Sequence, residues 1–367
     1  MVAQSESFDV AVVGGGPIGL ACAWRAEQRG ARAVVIDAGE PGAWHVAAGM
    51  LAPVSEADFG EGNLLQLGLE SAKRYAAFCA ELEEPGFRDV GTLVVARDRD
   101  EAEALDRLAE FRRRLGLPVE RLRPSQARKL EPALAPTVRL ALEIEGDHSI
   151  DPRKLVTALR RKVTVYDHAR ATGLLVDGDR VTGVVTPEGT VRADQVVLAA
   201  GVDVAKLTMP EAARVPVRPV KGQVLRLRDP NGPGLVERTI RGEQAYFDPR
   251  GDGRYGLGAT MEERGWDTTP TAGGVYELLR DLSELVPGIF ELEIEELIAG
   301  LRPATPDNLP AIGRGALDGL VWATGHFRNG ILLTPVTADL VASVLNGEPL
   351  PDWAAPADPQ RFAGVVA

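Results

Sequence analysis

Cysteine and histidine are scarce in this 367-residue chain, which has two of the former and four of the latter. Cys22 and Cys79 offer no metal-ligand spacing and no disulfide framework. The histidines, at 45, 148, 168 and 326, are scattered and leave no cluster for a structural metal. No apolar run approaches a membrane span, and the N-terminus carries acids where a leader would carry an apolar stretch. A cytoplasmic protein with no membrane partner is the expectation. Basic residues number 41 against 53 acidic, a net charge of −12, and no block of Lys and Arg occurs. That balance argues against nucleic acid as a partner and leaves any anionic ligand to be held by local arginines. Also missing are a Ser/His/Asp triad, a cysteine nucleophile, a pair of acid–base carboxylates, internal repeats and low-complexity tracts.

Glycine, by contrast, stands where chemistry can use it. Residues 8–13 read as a short, buried, β-branched strand, and Gly14, Gly16 and Gly19 then complete a G-x-G-x-x-G pattern around Gly15. Pro17 and Ile18 open a helix over 17–28, with proline at its first position and Gly30 closing it. The first glycine permits the turn, the second lets backbone approach a pyrophosphate, and the third lets helix and strand pack closely. A second strand, 33–36, ends in Asp37, eighteen residues after Gly19. A carboxylate there accepts hydrogen bonds from adenosine ribose hydroxyls and repels a 2′-phosphate. The alternative is an ordinary βαβ turn whose glycines serve packing alone.

Far downstream, Gly325-His326-Phe327-Arg328-Asn329-Gly330-Ile331 forms a glycine-bounded loop that runs into an apolar helix ending near Leu345. Such a loop turns backbone N–H groups and a helix N-terminus toward electron-rich oxygens. Two anion-receiving loops at opposite ends of one chain point to a single long cofactor with a pyrophosphate and an oxygen-rich ring. That cofactor is FAD.

The length suits two domains. The pattern predicts an α/β fold in which an FAD-binding Rossmann-like domain (1–84, 145–213 and 300–367) is interleaved with a substrate-binding domain (85–144 and 214–299) of antiparallel sheet and helices. Helices are expected over 63–83, 99–115, from Pro124, over 150–161 and over 273–285. Strands are expected over 91–96, 163–166, 172–177, 180–186 and 189–193. A separate buried strand, 195–201, closes on Ala200-Gly201 and forms the third wall of the cofactor domain. Residues 215–262 are β-rich, with strands at 224–227, 244–247 and 255–259 between turns, and a strand at 294–300 leads back.

Taken in order, Gly14–Gly19 with Asp37, Val46-Ala47-Ala48-Gly49-Met50-Leu51, Arg302-Pro303 with Asp307 and Gly313, and the 325–335 loop match a known pattern. The chain resembles the D-amino-acid oxidase superfamily over essentially its full length, and within it the glycine oxidases. These supply the glycine-derived imine for thiamine thiazole synthesis. The 302–313 stretch fixes the superfamily. The Ala-Ala-Gly-Met-Leu segment, Tyr246 and the 325–335 loop are more particular to glycine oxidases.

The resemblance implies non-covalent FAD contacted by the residues of all three loops, Ala47, Ala48, Gly49 and Met50 included, and by Ala171 and Gly201. It implies a small amino-acid or amine substrate, O2 as co-substrate, and a homo-oligomer, tetrameric by analogy. Arg302 becomes the clamp on the substrate carboxylate, which a planar guanidinium grips bidentately. Its alternative is a buried ion pair with Asp307. Tyr246 becomes a donor to the same carboxylate, or a strand tyrosine facing solvent. Arg328 becomes a second substrate-side residue, or a surface arginine, and Met261 a wall of the site, or plain packing. The helix after Gly330 would aim its positive end at the reduced flavin.

Trp44-His45-Val46 departs from the small hydroxyl residues usual in glycine oxidases, and a flavin link through His45 is the alternative to non-covalent binding. Arg241 and Gln244 stand where glycine oxidases often carry aromatic or histidine residues. Three functions follow from the resemblance: oxidation of glycine and small amines, dehydrogenation of a secondary amino acid such as proline or sarcosine with another electron acceptor, and a flavin-binding module without turnover.

Overall fold

The computed structural model describes residues 7–232 and 234–364. The acidic N-terminal end, and the outer limits of the expected cofactor domain at 1 and 367, lie outside the described residues. Among the described residues no helix is long and apolar enough to cross a membrane.

Valine and alanine runs too short for helices build the centre of the first sheet. Ser7–Val13 pairs in parallel with Ala33–Ile36 on one side and with Gly189–Leu198 on the other. Val165–Tyr166 extends the sheet beyond Ala33–Ile36, and Leu320–Thr324 lies parallel to residues 196–198. The expected strands at 189–193 and 195–201 are one strand, Gly189–Leu198. Its first half closes an antiparallel meander with Arg180–Thr186 and Gly173–Asp177, and its second half enters the parallel centre. The two environments give the halves different polarity, which is why they read as separate strands.

Helix Pro17–Gln28 packs on this sheet, flanked by Pro152–Arg160 and Thr334–Leu345. Thr334–Leu345 begins three residues later than the start after Gly330 that the sequence suggested. A single 3-10 turn, Phe327–Asn329, and the bend after it intervene. The cause lies partly on Pro335 and partly on helix Gly62–Ala80. Tyr75, buried in the core, donates its hydroxyl to the Ile331 carbonyl at 2.7 Å, and Ser71 donates to the Leu332 carbonyl at 2.6 Å. Pro335 has no N–H to offer the Ile331 carbonyl, and the Ser71 hydroxyl stands between the Leu332 carbonyl and the Val336 N–H, from which it accepts at 3.3 Å.

The second sheet runs in the order Glu293–Ala304, Arg218–Arg228, Arg254–Gly258, Tyr246–Pro249, Thr239–Arg241, Thr92–Ala96, Leu140–Ile144, Glu120–Leu122. It is antiparallel, as expected, apart from one parallel pair, Thr239–Arg241 with Thr92–Ala96, where the two stretches of this domain meet. Glu293–Ala304 runs through the expected division at residue 300, because it pairs from end to end with Arg218–Arg228.

Alternation assigns the two faces. Leu225, Leu227, Phe247, Tyr255 and Leu257 pack beneath helix Ala272–Ser283 through Leu278 and Leu282. Val220, Gly222, Val224, Tyr246 and Gly258 belong to the other face, toward the first sheet.

Tyr75→Phe keeps the ring and removes one of two donors to the Ile331 carbonyl, which retains the Thr334 N–H at 3.2 Å. It should lower unfolding free energy by about 0.5–1.5 kcal/mol, the net worth of one hydrogen bond whose acceptor keeps another donor. Equilibrium denaturation reads this directly, and an unshifted midpoint would show that water replaces the phenol.

Candidate active site

The face of the second sheet that looks toward the first sheet carries two polar side chains over glycines. Arg302, on Glu293–Ala304, stands opposite Val220, and its guanidinium lies over Gly222, where a Cβ would meet Cζ at 2.5 Å. The Tyr246 ring lies over Gly258 in the same manner, with a notional Cβ 2.6 Å from its Cζ. Register aligns Val224, Gly258, Tyr246 and Arg241 across neighbouring strands, two residues along from Gly222. Clamp and phenol therefore share one surface, and both line one cavity of about 1030 Å³.

Four arginines line that cavity: Arg170, Arg241, Arg302 and Arg328. Arg170 pairs with Glu40, Arg241 with Glu56 at 2.6 Å, and Arg328 with Glu61 at 2.5 Å. Among the described residues no carboxylate lies within ion-pair reach of Arg302. Its partners are two backbone carbonyls, of Thr260 at 3.1 Å and Lys221 at 3.3 Å. The expected alternative partner, Asp307, is taken by Arg361 at 2.8 Å. Burial depresses the proton affinity of the Arg302 guanidinium and raises the pKa of the Tyr246 phenol. A cation with open valences in a partly dry cavity is a seat for an anion.

The other end of the cavity is the glycine loop. Gly14, with φ at +111°, brings the strand end against Ala199 and Ala200, a backbone that only glycine adopts readily. The Asp37 carboxylate presses on Gly15 and accepts from Arg160 at 2.8 Å. Gly16, Pro17, Ile18, Ala47, Ala48, Gly49, Met50, Ala171, Gly201, His326, Phe327, Gly330 and Ile331 line the same cavity, as does Met261, which is 62% exposed.

Three residues expected on the cofactor do not line the cavity. Gly19 has the Gly14 carbonyl where its Cβ would be, so it serves helix–strand packing. Gly325 packs on Thr305. Asn329 is buried and donates its backbone N–H to His326. His45 also turns away. Trp44 and Val46 line the cavity, whereas the His45 ring faces Glu296 at 3.6 Å.

Sequence reading missed Glu56. It follows ten uncharged residues, 46–55, and a first charge after such a run was a usable signal. It also missed the grip on Ala47-Ala48-Gly49. Arg226 donates to the His45 and Ala47 carbonyls at 3.3 and 3.0 Å, and Arg250 to the carbonyls of Ala48 and Ile150.

The residues fit a dinucleotide. A cradle of adjacent glycines meets an acid at the strand end, and the cavity slightly exceeds the ordinary range of about 300–1,000 Å³, enough for such a cofactor and a small substrate together. The sequence matches the DAO family, FAD dependent oxidoreductases, over residues 9–344. The chain belongs to this family. FAD is its cofactor, and redox chemistry its activity.

Glycine oxidase of Bacillus licheniformis is 32% identical over 94% of this chain and 95% of its own length. The bifunctional protein ThiO/ThiG of Synechocystis is 34% identical over 98% of this chain. The match spans 55% of that longer protein. The crystal structure of glycine oxidase from Geobacillus kaustophilus superposes with a TM-score of 0.90 at 33% identity, covering 98% of this chain and all of that one.

Two outcomes follow from the site. With His45 turned to Glu296, acid precipitation should leave a colourless pellet and free flavin in the supernatant. A pellet that stays yellow would establish a covalent link.

His326 is buried against Thr337, 3.0 Å from Nε2 to Oγ1, and burial pushes its pKa down to about 3. Between pH 6.5 and 3 the unfolded chain takes a proton there that the folded chain refuses, so stability falls as pH falls, by at most about 1.4 kcal/mol per pH unit. His326→Gln should flatten the dependence of unfolding free energy on pH below 6.5 relative to wild type. Parallel slopes would disprove the linkage.

Proposed function

We propose that this chain oxidises glycine and other small amino acids or amines, yielding an imine that water converts to glyoxylate and ammonia, while O2 is reduced to H2O2. The observation that carries this reading is Arg302, the one cavity arginine with no carboxylate partner among the described residues, beside the Tyr246 phenol. Bound FAD supplies the acceptor for the hydride that leaves Cα.

The chain's own residues position the substrate. Arg302 takes the carboxylate with two parallel N–H donors, while the Thr260 and Lys221 carbonyls fix the guanidinium plane. Tyr246 donates its hydroxyl to the same carboxylate. Gly222 and Gly258 make room for the Arg302 guanidinium and the Tyr246 ring to lie against the sheet, where a Cβ would displace them. Met261 stands at the solvent-facing part of the cavity wall and limits substrate size there. Holding the substrate in one orientation is itself a large part of the catalytic effect. The same glycine-oxidase resemblance, with the likeness to the bifunctional ThiO/ThiG protein, supports a role in thiamine thiazole synthesis.

Arg302→Ala tests the reading. It should reduce kcat/KM for glycine by roughly 3–5 kcal/mol of transition-state stabilisation, on the order of a hundred- to several-thousand-fold. Arg302→Lys should recover only part, because it keeps the charge and loses the fork. Ethylamine, which has no carboxylate, should lose little, and flavin content should stay near wild type. Equal losses for glycine and ethylamine would mean that Arg302 supports the fold or the flavin.

A further inference from the structure

Two of the paired cavity arginines share one carboxylate. Arg241 donates to Glu56 at 2.6 Å, and Arg328 Nε lies 3.9 Å from the other oxygen of the same side chain. Arg328 reaches Glu61 at 2.5 Å as well. Arg241 is the direct cross-strand neighbour of Tyr246, and paired residues on adjacent strands project to the same face. The Arg241–Glu56–Arg328 chain therefore adjoins the surface that bears Tyr246 and Arg302. Glu56 and Arg328 both act electrostatically on the Arg302 guanidinium, with opposite sign.

Glu56 is set firmly in place. The backbone N–H groups of Val54 and Ser55 donate to the fully buried Asp147 carboxylate at 3.1 and 2.6 Å. Arg112, also buried, donates to the Ser55 and Ala57 carbonyls at 2.7 and 3.3 Å. Buried charged groups are costly, and these two grip the backbone on both sides of Glu56. The acid is not a mobile surface side chain, and its own exposure is 16%.

We propose that Glu56 is a specificity-determining residue of the substrate site: it neutralises Arg241 and Arg328, leaves Arg302 as the single carboxylate seat, and so selects ligands with one carboxylate over those with two. A second anionic group would meet the Glu56 carboxylate in a partly desolvated cavity, where like charges repel far more than in water. Removing the charge of Glu56 unpairs Arg241 and leaves Arg328 to Glu61 alone, which creates a second anion seat. The proposal rests on Arg302 as the clamp.

The test needs no turnover. Acetate and malonate are titrated into the flavin-loaded protein, and binding is read from the perturbed flavin absorbance. Wild type should bind malonate roughly tenfold or more weakly than acetate. In Glu56→Gln the malonate-to-acetate affinity ratio should rise by roughly tenfold or more, and in Glu56→Gln combined with Arg241→Met it should fall back. Malonate binding to wild type as tightly as acetate overturns the proposal, and that comparison stands even where the variant fails to hold flavin. An unmoved ratio in Glu56→Gln, or a gain that survives the second substitution, overturns it too. Absence of any response to acetate sinks the Arg302 clamp itself, whereas acetate binding with an unmoved ratio sinks the Glu56 inference alone.

Discussion

Two buried guanidinium groups from the second sheet hold the backbone of a segment that lines the cavity. Arg226 takes the His45 and Ala47 carbonyls, and Arg250 takes those of Ala48 and Ile150. Burial, with Arg250 and Arg153 nearby, pushes Arg226 down to about 10, so its charge is retained at a cost. Hydrogen bonds to carbonyls, an Asp248 counterion for Arg250 at 3.1 Å and a Glu296 counterion for Arg153 at 2.7 Å offset that cost. Residues 46–50 thus line the cavity while their carbonyls are tied to the second sheet. The sheet that positions Arg302 also positions this loop, which fixes the two relative to each other across the cavity. Loss of either guanidinium would loosen both at once.

The same sheet solves a spatial problem through its alternation. One face buries leucine and aromatic side chains under helix Ala272–Ser283, and the other must leave room for a ligand. Gly222, Gly258 and Gly300 let Arg302, Tyr246 and Val46 lie low against the sheet, where a Cβ would push them into the cavity. At Gly300 the missing Cβ leaves space for Val46, whose Cγ2 would stand 2.6 Å away. The strands carry two reaching side chains on that face. Glycine weakens a strand, yet the long ladder between Glu293–Ala304 and Arg218–Arg228 compensates with register on both sides of the gap.

The nucleotide-binding half was legible because its physics is local. Proline at the first helical position, β-branched runs of four to seven residues, and an acid at a strand end each declare themselves within a few positions. Helix Pro17–Gln28 and strand Ala33–Ile36 therefore fall where the sequence places them. What escaped was non-local. Glu56 gains its meaning from Arg241, 185 positions away, and from Asp147 beneath its turn. Strands Ala311–Arg314 and Leu320–Thr324 were unread, since their apolar character matches any buried segment and only pairing with 196–198 makes the second a sheet member. The late start of helix Thr334–Leu345 depends in part on Ser71, some 260 residues upstream, which bridges the Leu332 carbonyl and the Val336 N–H.

Net charge, −12, would discourage a carboxylate substrate, and the structure shows how that field is answered locally. Partnering, not the count of arginines, decides where an anion can sit. Arg112 and Arg226 are nearly fully buried on backbone carbonyls and do not line this cavity. Arg170, Arg241 and Arg328 face the cavity, but each is matched by an acid. Arg302 combines the two conditions that the others satisfy singly: it faces the cavity, and only carbonyl oxygens hold it. Carbonyls orient a guanidinium without cancelling its charge, so its remaining N–H groups keep their full pull on an incoming carboxylate. On the proposed function, selectivity for an anion in this acidic protein follows from which cavity arginine has no carboxylate partner among the described residues.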